Sequence, residues 1–200
     1  MRRLSVGFVR CGLDARIGRS TALDRNILTA VSHASSPLAT ELSVKHKAIE
    51  PVLVFGYGNP SRGDDALGPL IIERLDELLG LGRLQGVDVL TDFQLQVEHA
   101  IDLIDRELVI FVDAAMAQAE PFRWIEVEPV ADAAWSTHSL TPGALAGVYQ
   151  SLYGPLPRLR LLSVAGERFE LGAALSAAAA RNLQAATGAL LTSLHAGIRG

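Results

Sequence analysis

The chain has 200 residues, 49% of them hydrophobic and 20% charged, which fits one ordinary domain with a sizeable core and excludes a disordered or highly charged polypeptide. Its one cysteine, Cys11, rules out an internal disulfide and any multi-cysteine zinc or iron–sulfur site, so a metal would be held by carboxylates and imidazoles in a reducing, cytoplasmic setting. The net charge of −4 averages two unlike parts, since residues 1–50 carry 8 Lys and Arg against 4 Asp and Glu while residues 51–200 carry 10 against 18; an acidic body excludes a nucleic-acid groove.

Residues 1–48 show no sustained period of 3.6 or 2 and are rich in Arg, Ser, Ala and Thr. They read as an N-terminal extension, either a disordered tail or a start placed too early, with Val44 as an alternative start. Arg10 and Arg16 interrupt any apolar stretch long enough for export. From Pro51 the chain changes character, and residues 49–200 read as the domain proper. Val52-Leu53-Val54-Phe55, with Gly56-Tyr57-Gly58 behind it, predicts a buried strand. Leu67, Ile71, Ile72, Leu75, Leu78 and Leu79 recur at helical spacing with charged residues between them, which predicts an amphipathic helix. Val87 to Thr91 predicts a second strand and Val97 to Ile104 a short helix.

Leu108 to Val112 is a third, continuously apolar strand ending at Asp113, a pattern that implies burial on both faces. Trp124 to Val127 alternates like an edge strand, Pro142 to Leu152 predicts a helix, and Leu159 to Val164 a fifth strand. Leu175, Ala179, Leu183, Ala186, Leu190 and Leu194 line one face of a closing helix. Arg181, Asn182, Gln184 and His195 mark that helix as packed on a sheet, so no membrane association is expected. Alternating strands and helices predict a three-layer α/β/α sandwich around a mostly parallel, roughly five-stranded twisted sheet.

In such sheets ligands meet the carboxyl ends of the strands, and three of these ends carry polar groups. The first is Gly58-Asn59-Pro60-Ser61-Arg62-Gly63-Asp64-Asp65. A dinucleotide fingerprint fits it poorly, because Ser61 stands where the third glycine belongs and two carboxylates occupy a helix start that would have to accept a pyrophosphate. The same carboxylates suit a cation, although an aspartate at this place also stabilises a helix as a cap. One of the pair can cap while the other projects into the crevice. The second end is Asp113, which is either a ligand or a turn residue bonding the amides behind it. The third is His138, in a polar loop entering a helix, where an isolated histidine is often an ordinary surface group. Glu98 and His99 are further donors, but adjacent helical residues point about 100° apart and do not share one ion. Two carboxylates and a histidine converging at strand ends would make an open oxygen and nitrogen site suited to nickel or zinc.

These segments resemble the maturation endopeptidases of nickel-iron hydrogenases. The resemblance is carried by residues 56–68 (GYGNPSRGDDALG), by Phe111-Val112-Asp113-Ala114, by Thr137-His138-Ser139-Leu140 and by residues 166–176 (GERFELGAALS), and it runs from about Pro51 to about Leu194. It implies a protease that removes the C-terminal extension of a hydrogenase large-subunit precursor once nickel has been inserted. Under this resemblance the metal contacts fall on Asp65, Asp113 and His138, Asp64 is the candidate catalytic base, and Gly58, Asn59 and Gln94 position the substrate. Ala66 stands where many members have glycine. Residues 92–99 (DFQLQVEH) resemble the form found in proteases serving soluble, cofactor-linked hydrogenases. The implied metal is nickel carried by the precursor, or another divalent ion in the isolated protein, with no organic cofactor. The implied partner is the precursor, with no nucleic acid and no membrane. Two other readings stay open at this point: a nucleotide-binding oxidoreductase, and a non-catalytic, metal-dependent assembly factor.

Overall fold

Val52–Tyr57 forms β1, a strand buried along its whole length. The computed structural model describes residues 49–130 and 140–197. A 3-10 turn at Gly63–Ala66 leads into α1, Leu67–Gly80, and β2 follows at Val87–Asp92. A 3-10 helix spans Val97–Leu103, β3 Leu108–Ala115 and β4 Phe122–Glu126. Then come α2 at Pro142–Tyr153, β5 at Arg158–Ala165 and α3 at Ala177–Gly197. The strands lie in the order β2-β1-β3-β5-β4, all parallel except β4, which pairs antiparallel with β5 at the edge. This is the predicted α/β sandwich, with the predicted edge strand in its place.

Strand parity divides the core. Val52 and Val54 of β1 join Ile110 and Val112 of β3 under α1 and α3, whereas Leu53, Phe55, Val109 and Phe111 face α2 and the 3-10 helix. Both faces are covered, so the central strands are apolar at consecutive positions and do not alternate. Phe55 and Phe111 are fully buried with ring centres 6.2 Å apart, and each such burial is worth about 1.5–3 kcal/mol. At the edge, the Arg160 guanidinium lies 4.3 Å over the Trp124 ring and its Nε is 2.9 Å from Glu126.

Helix boundaries follow from local bonds. Thr141 caps α2, its Oγ1 accepting from the Ala144 amide at 3.2 Å ahead of Pro142. The last helix starts at Ala177, two residues later than its apolar spacing suggests, because Ser176 caps it by accepting the Ala179 amide. The short helix predicted from Val97 is a 3-10 helix, entered by the Gln96 amide donating to His99 Nδ1 at 2.9 Å. No helix among the described residues is long and apolar enough to cross a membrane.

Candidate functional site

The loop after β1 is folded around Asp65. The Asn59 amide donates to Asp65 Oδ2 at 3.0 Å, and Asn59 Oδ1 accepts the Ser61 amide at 2.9 Å in an Asx turn. The Gly58 amide donates to the Asp92 carbonyl at 3.1 Å, tying the loop to the end of β2. Gly58 has φ +142°, and a Cβ there would lie 2.0 Å from the Asp65 carbonyl oxygen, so both conformation and space require glycine. A Cβ on Gly68 would stand 2.4 Å from the Tyr57 carbonyl, and its absence lets α1 begin directly against β1. Ala66 is in the ordinary right-handed helical region, so the turn there needs no glycine.

Asp113 lies two residues before the end of β3, half-buried, on the face that Phe111 shares with the second core. Its carboxyl is pushed up to about 6, mainly by burial; hydrogen bonds from the Tyr57 hydroxyl and the Ala114 amide pull it down, and the Asp65 charge raises it. The Asp65 carboxylate is thus near enough for its charge to be felt at Asp113, and the two repel one another. Such a pair is relieved by a proton or by a shared cation, and it opposes a phosphate. The dinucleotide reading finds no support in this geometry.

Asp64, adjacent in sequence, faces the other way. It is 0% exposed. Its Oδ1 accepts the Ser176 amide at 2.6 Å, and its Oδ2 accepts the amides of Glu167 at 2.7 Å and Arg168 at 3.0 Å. Burial alone would raise its carboxyl; the hydrogen bonds from Ser176, Glu167 and Arg168 outweigh burial and hold it below the ordinary range. The role of catalytic base anticipated for Asp64 does not fit, because both oxygens are engaged and the proton affinity is lowered. Asp64 instead pins the 166–176 segment against the β1–α1 loop, helped by the Asp64 amide donating to the Arg168 carbonyl and the Gly172 amide to the Ser61 carbonyl, both at 2.7 Å.

No protein-family model and no curated protein matches the chain. Solved structures do. The NiFe hydrogenase maturation protease HycI from Thermococcus kodakarensis KOD1 is 25% identical over 72% of this chain and 92% of its own, with a TM-score of 0.55. This chain has the fold of the hydrogenase maturation proteases. The hydrogenase maturating endopeptidase HybD from E. coli gives 23% identity, 73% and 93% coverage and a TM-score of 0.55. A hydrogenase 2 maturation peptidase from a Thaumarchaeota archaeon gives 23%, 72% and 97%, with 0.51.

Within this maturation-protease fold the remaining candidates separate. Gln94 is exposed in the turn after β2, and Asn59 serves the loop around Asp65. His99 has both ring nitrogens engaged, Nδ1 by the Gln96 amide and Nε2 with Asp92 Oδ2 at 3.3 Å, and it packs edge-on to Phe55. It is a structural histidine, and Glu98 beside it is exposed. His138 lies outside the described residues. Among the described residues no group of three or more His, Cys, Asp or Glu side chains gathers for a metal; the Asp65 and Asp113 pair supplies two hard oxygen donors and suits a cation that brings or finds further ligands. Clefts of about 640 Å³ at the amino end of β2 and about 620 Å³ between α1 and α3 are lined by neither aspartate. Sequence reasoning missed Tyr57. Its only signal was strand parity with Asp113, which has meaning once the β1–β3 register is known.

Proposed function

We propose that this chain is an endopeptidase that removes the C-terminal extension of a NiFe hydrogenase large-subunit precursor after nickel insertion. The observation that carries this reading is the fold shared with proteins named as hydrogenase maturation proteases, in which Asp113 near the end of β3 feels the charge of Asp65 from the turn that follows β1. In this reading Asp65, Asp113 and His138 contact nickel that the precursor already holds, and the scissile bond is thereby brought into register. Nickel is part of the substrate, and it supplies the positive charge that the two carboxylates recognise. Gly58 and Asn59 hold Asp65 in place, Gln94, exposed after β2, is assigned to positioning the substrate polypeptide, and Asp64 maintains the loop without exchanging a proton. The reaction is placed in the cytoplasm, with the precursor as partner.

The test is mass spectrometry of precursor incubated with the protein, with and without nickel. The expected result is a new C-terminus in the nickel-loaded precursor alone, abolished by Asp65→Ala, Asp113→Ala or His138→Ala in proteins that melt normally. Full-rate cleavage of nickel-free precursor would eliminate nickel recognition. Precursor binding without any new C-terminus would leave an assembly factor.

A further inference from the structure

A carboxylate ligand works only if one oxygen is aimed at the ion, and Asp113 is poorly placed to aim itself. It is repelled by Asp65, and a free aspartate would rotate away from that charge. What opposes the rotation is Tyr57. The β1–β3 register pairs Gly56 with Val112, so Tyr57 comes next beside Asp113, on neighbouring strands about 4.8 Å apart. Parity puts both on the face that carries Phe55 and Phe111. Tyr57 is 9% exposed, and its ring meets Phe55 edge-on at 6.2 Å and 85°. A buried tyrosine hydroxyl needs a partner, and this one donates to the Asp113 carboxylate.

We propose that Tyr57 is a positioning residue: its hydroxyl occupies one oxygen of Asp113, holds the carboxylate beside Asp65 against their repulsion, and leaves the other oxygen directed at the cation. This rests on the metal-contacting role given to Asp113 above. A hydrogen bond to a ligand also withdraws some of its charge, which by itself weakens binding. Orientation dominates, since losing an outer partner of a metal ligand costs roughly 10–100-fold in affinity.

The experiment is calorimetric titration of the full-length protein with Ni²⁺ alone, joined to steady-state cleavage of nickel-loaded precursor. Tyr57→Phe keeps the ring and removes the donor. It is expected to weaken Ni²⁺ binding roughly 10–100-fold and to raise KM for the precursor with little change in kcat. Tyr149→Phe, at a buried tyrosine of the same core, is expected to leave both at wild-type values. A normal circular-dichroism melt is the criterion of folding. If Tyr57→Phe fails it, Tyr57→Met, which also lacks the donor and fills the same apolar slot, carries the same expectation. Wild-type Ni²⁺ affinity in Tyr57→Phe, with affinity lost in Asp113→Asn, would overturn the role of Tyr57 and leave the proposed function standing. Wild-type affinity in Asp113→Asn would overturn both.

Discussion

Asp64 and Asp65 are neighbours with the same chemistry and opposite fates. Three amides converge on Asp64, and a hydrogen bond to a charged group contributes about 1.5–3 kcal/mol while each buried donor left unpaired costs about 1–3. Asp64→Ala is therefore expected to destabilise the protein by about 3 kcal/mol or more, lowering Tm by roughly 10 °C. Asp64→Asn should do little better, because amides address both oxygens and the Asn NH₂ must face one of them. Thermal melts of the two variants check this, and a wild-type Tm in Asp64→Asn would contradict it. Because the native carboxyl lies below its unfolded value, this stabilisation is whole at neutral pH and is lost only as pH falls through the native value. Asp113 has the opposite sign. Its carboxyl is raised to about 6 in the native state, so the folded protein binds the proton more tightly and stability falls as pH rises from about 4 through 6. Asp113→Asn should be more stable than wild type at pH 8, by up to about 3 kcal/mol, with the difference vanishing below pH 4. Denaturant titrations at pH 4, 6 and 8 measure it.

The element that makes the site is the β1–α1 connection. Gly58 passes directly over the Asp65 carbonyl, the Asn59 amide and Asx turn close around the Asp65 side chain, and Gly68 lets the helix start on the strand. Gly58→Ala would add a methyl group 2.0 Å from a backbone oxygen at a φ of +142°. A cost of about 2–4 kcal/mol is expected from clash and strain together. Because relief must come from moving Asp65, Ni²⁺ affinity should fall along with Tm. A stable Gly58→Ala protein that binds Ni²⁺ normally would show that the loop does not set the carboxylate. The 166–176 segment, read from the sequence only as a resembling motif, proves to be the other half of this element, since its amides grip Asp64 and its Ser176 starts α3.

At the scale of the whole molecule, the parallel order β2-β1-β3-β5 delivers the ends of β1 and β3 side by side, and that adjacency turns two distant aspartates into a pair. Much of this was legible in the chain itself. Runs such as Leu108–Val112 and the stripe from Leu67 to Leu79 are direct traces of burial, and burial is what periodicity records. The elements, the layered fold and the edge strand followed from local patterns of this kind. Strand order, register and the direction of each carboxylate did not, because they depend on contacts between residues far apart in sequence. Composition cannot separate Asp64 from Asp65: one has its charge consumed by amides contributed more than 100 residues later, and the other accepts an amide of its own loop and lies within reach of the Asp113 charge. Nor can it show that Tyr57 stands beside Asp113, a relation created only when β1 and β3 pair. The sequence by itself determined which residues could do chemistry; the tertiary structure decided which of them are free to, since a side chain's availability is set by the partners that folding brings to it.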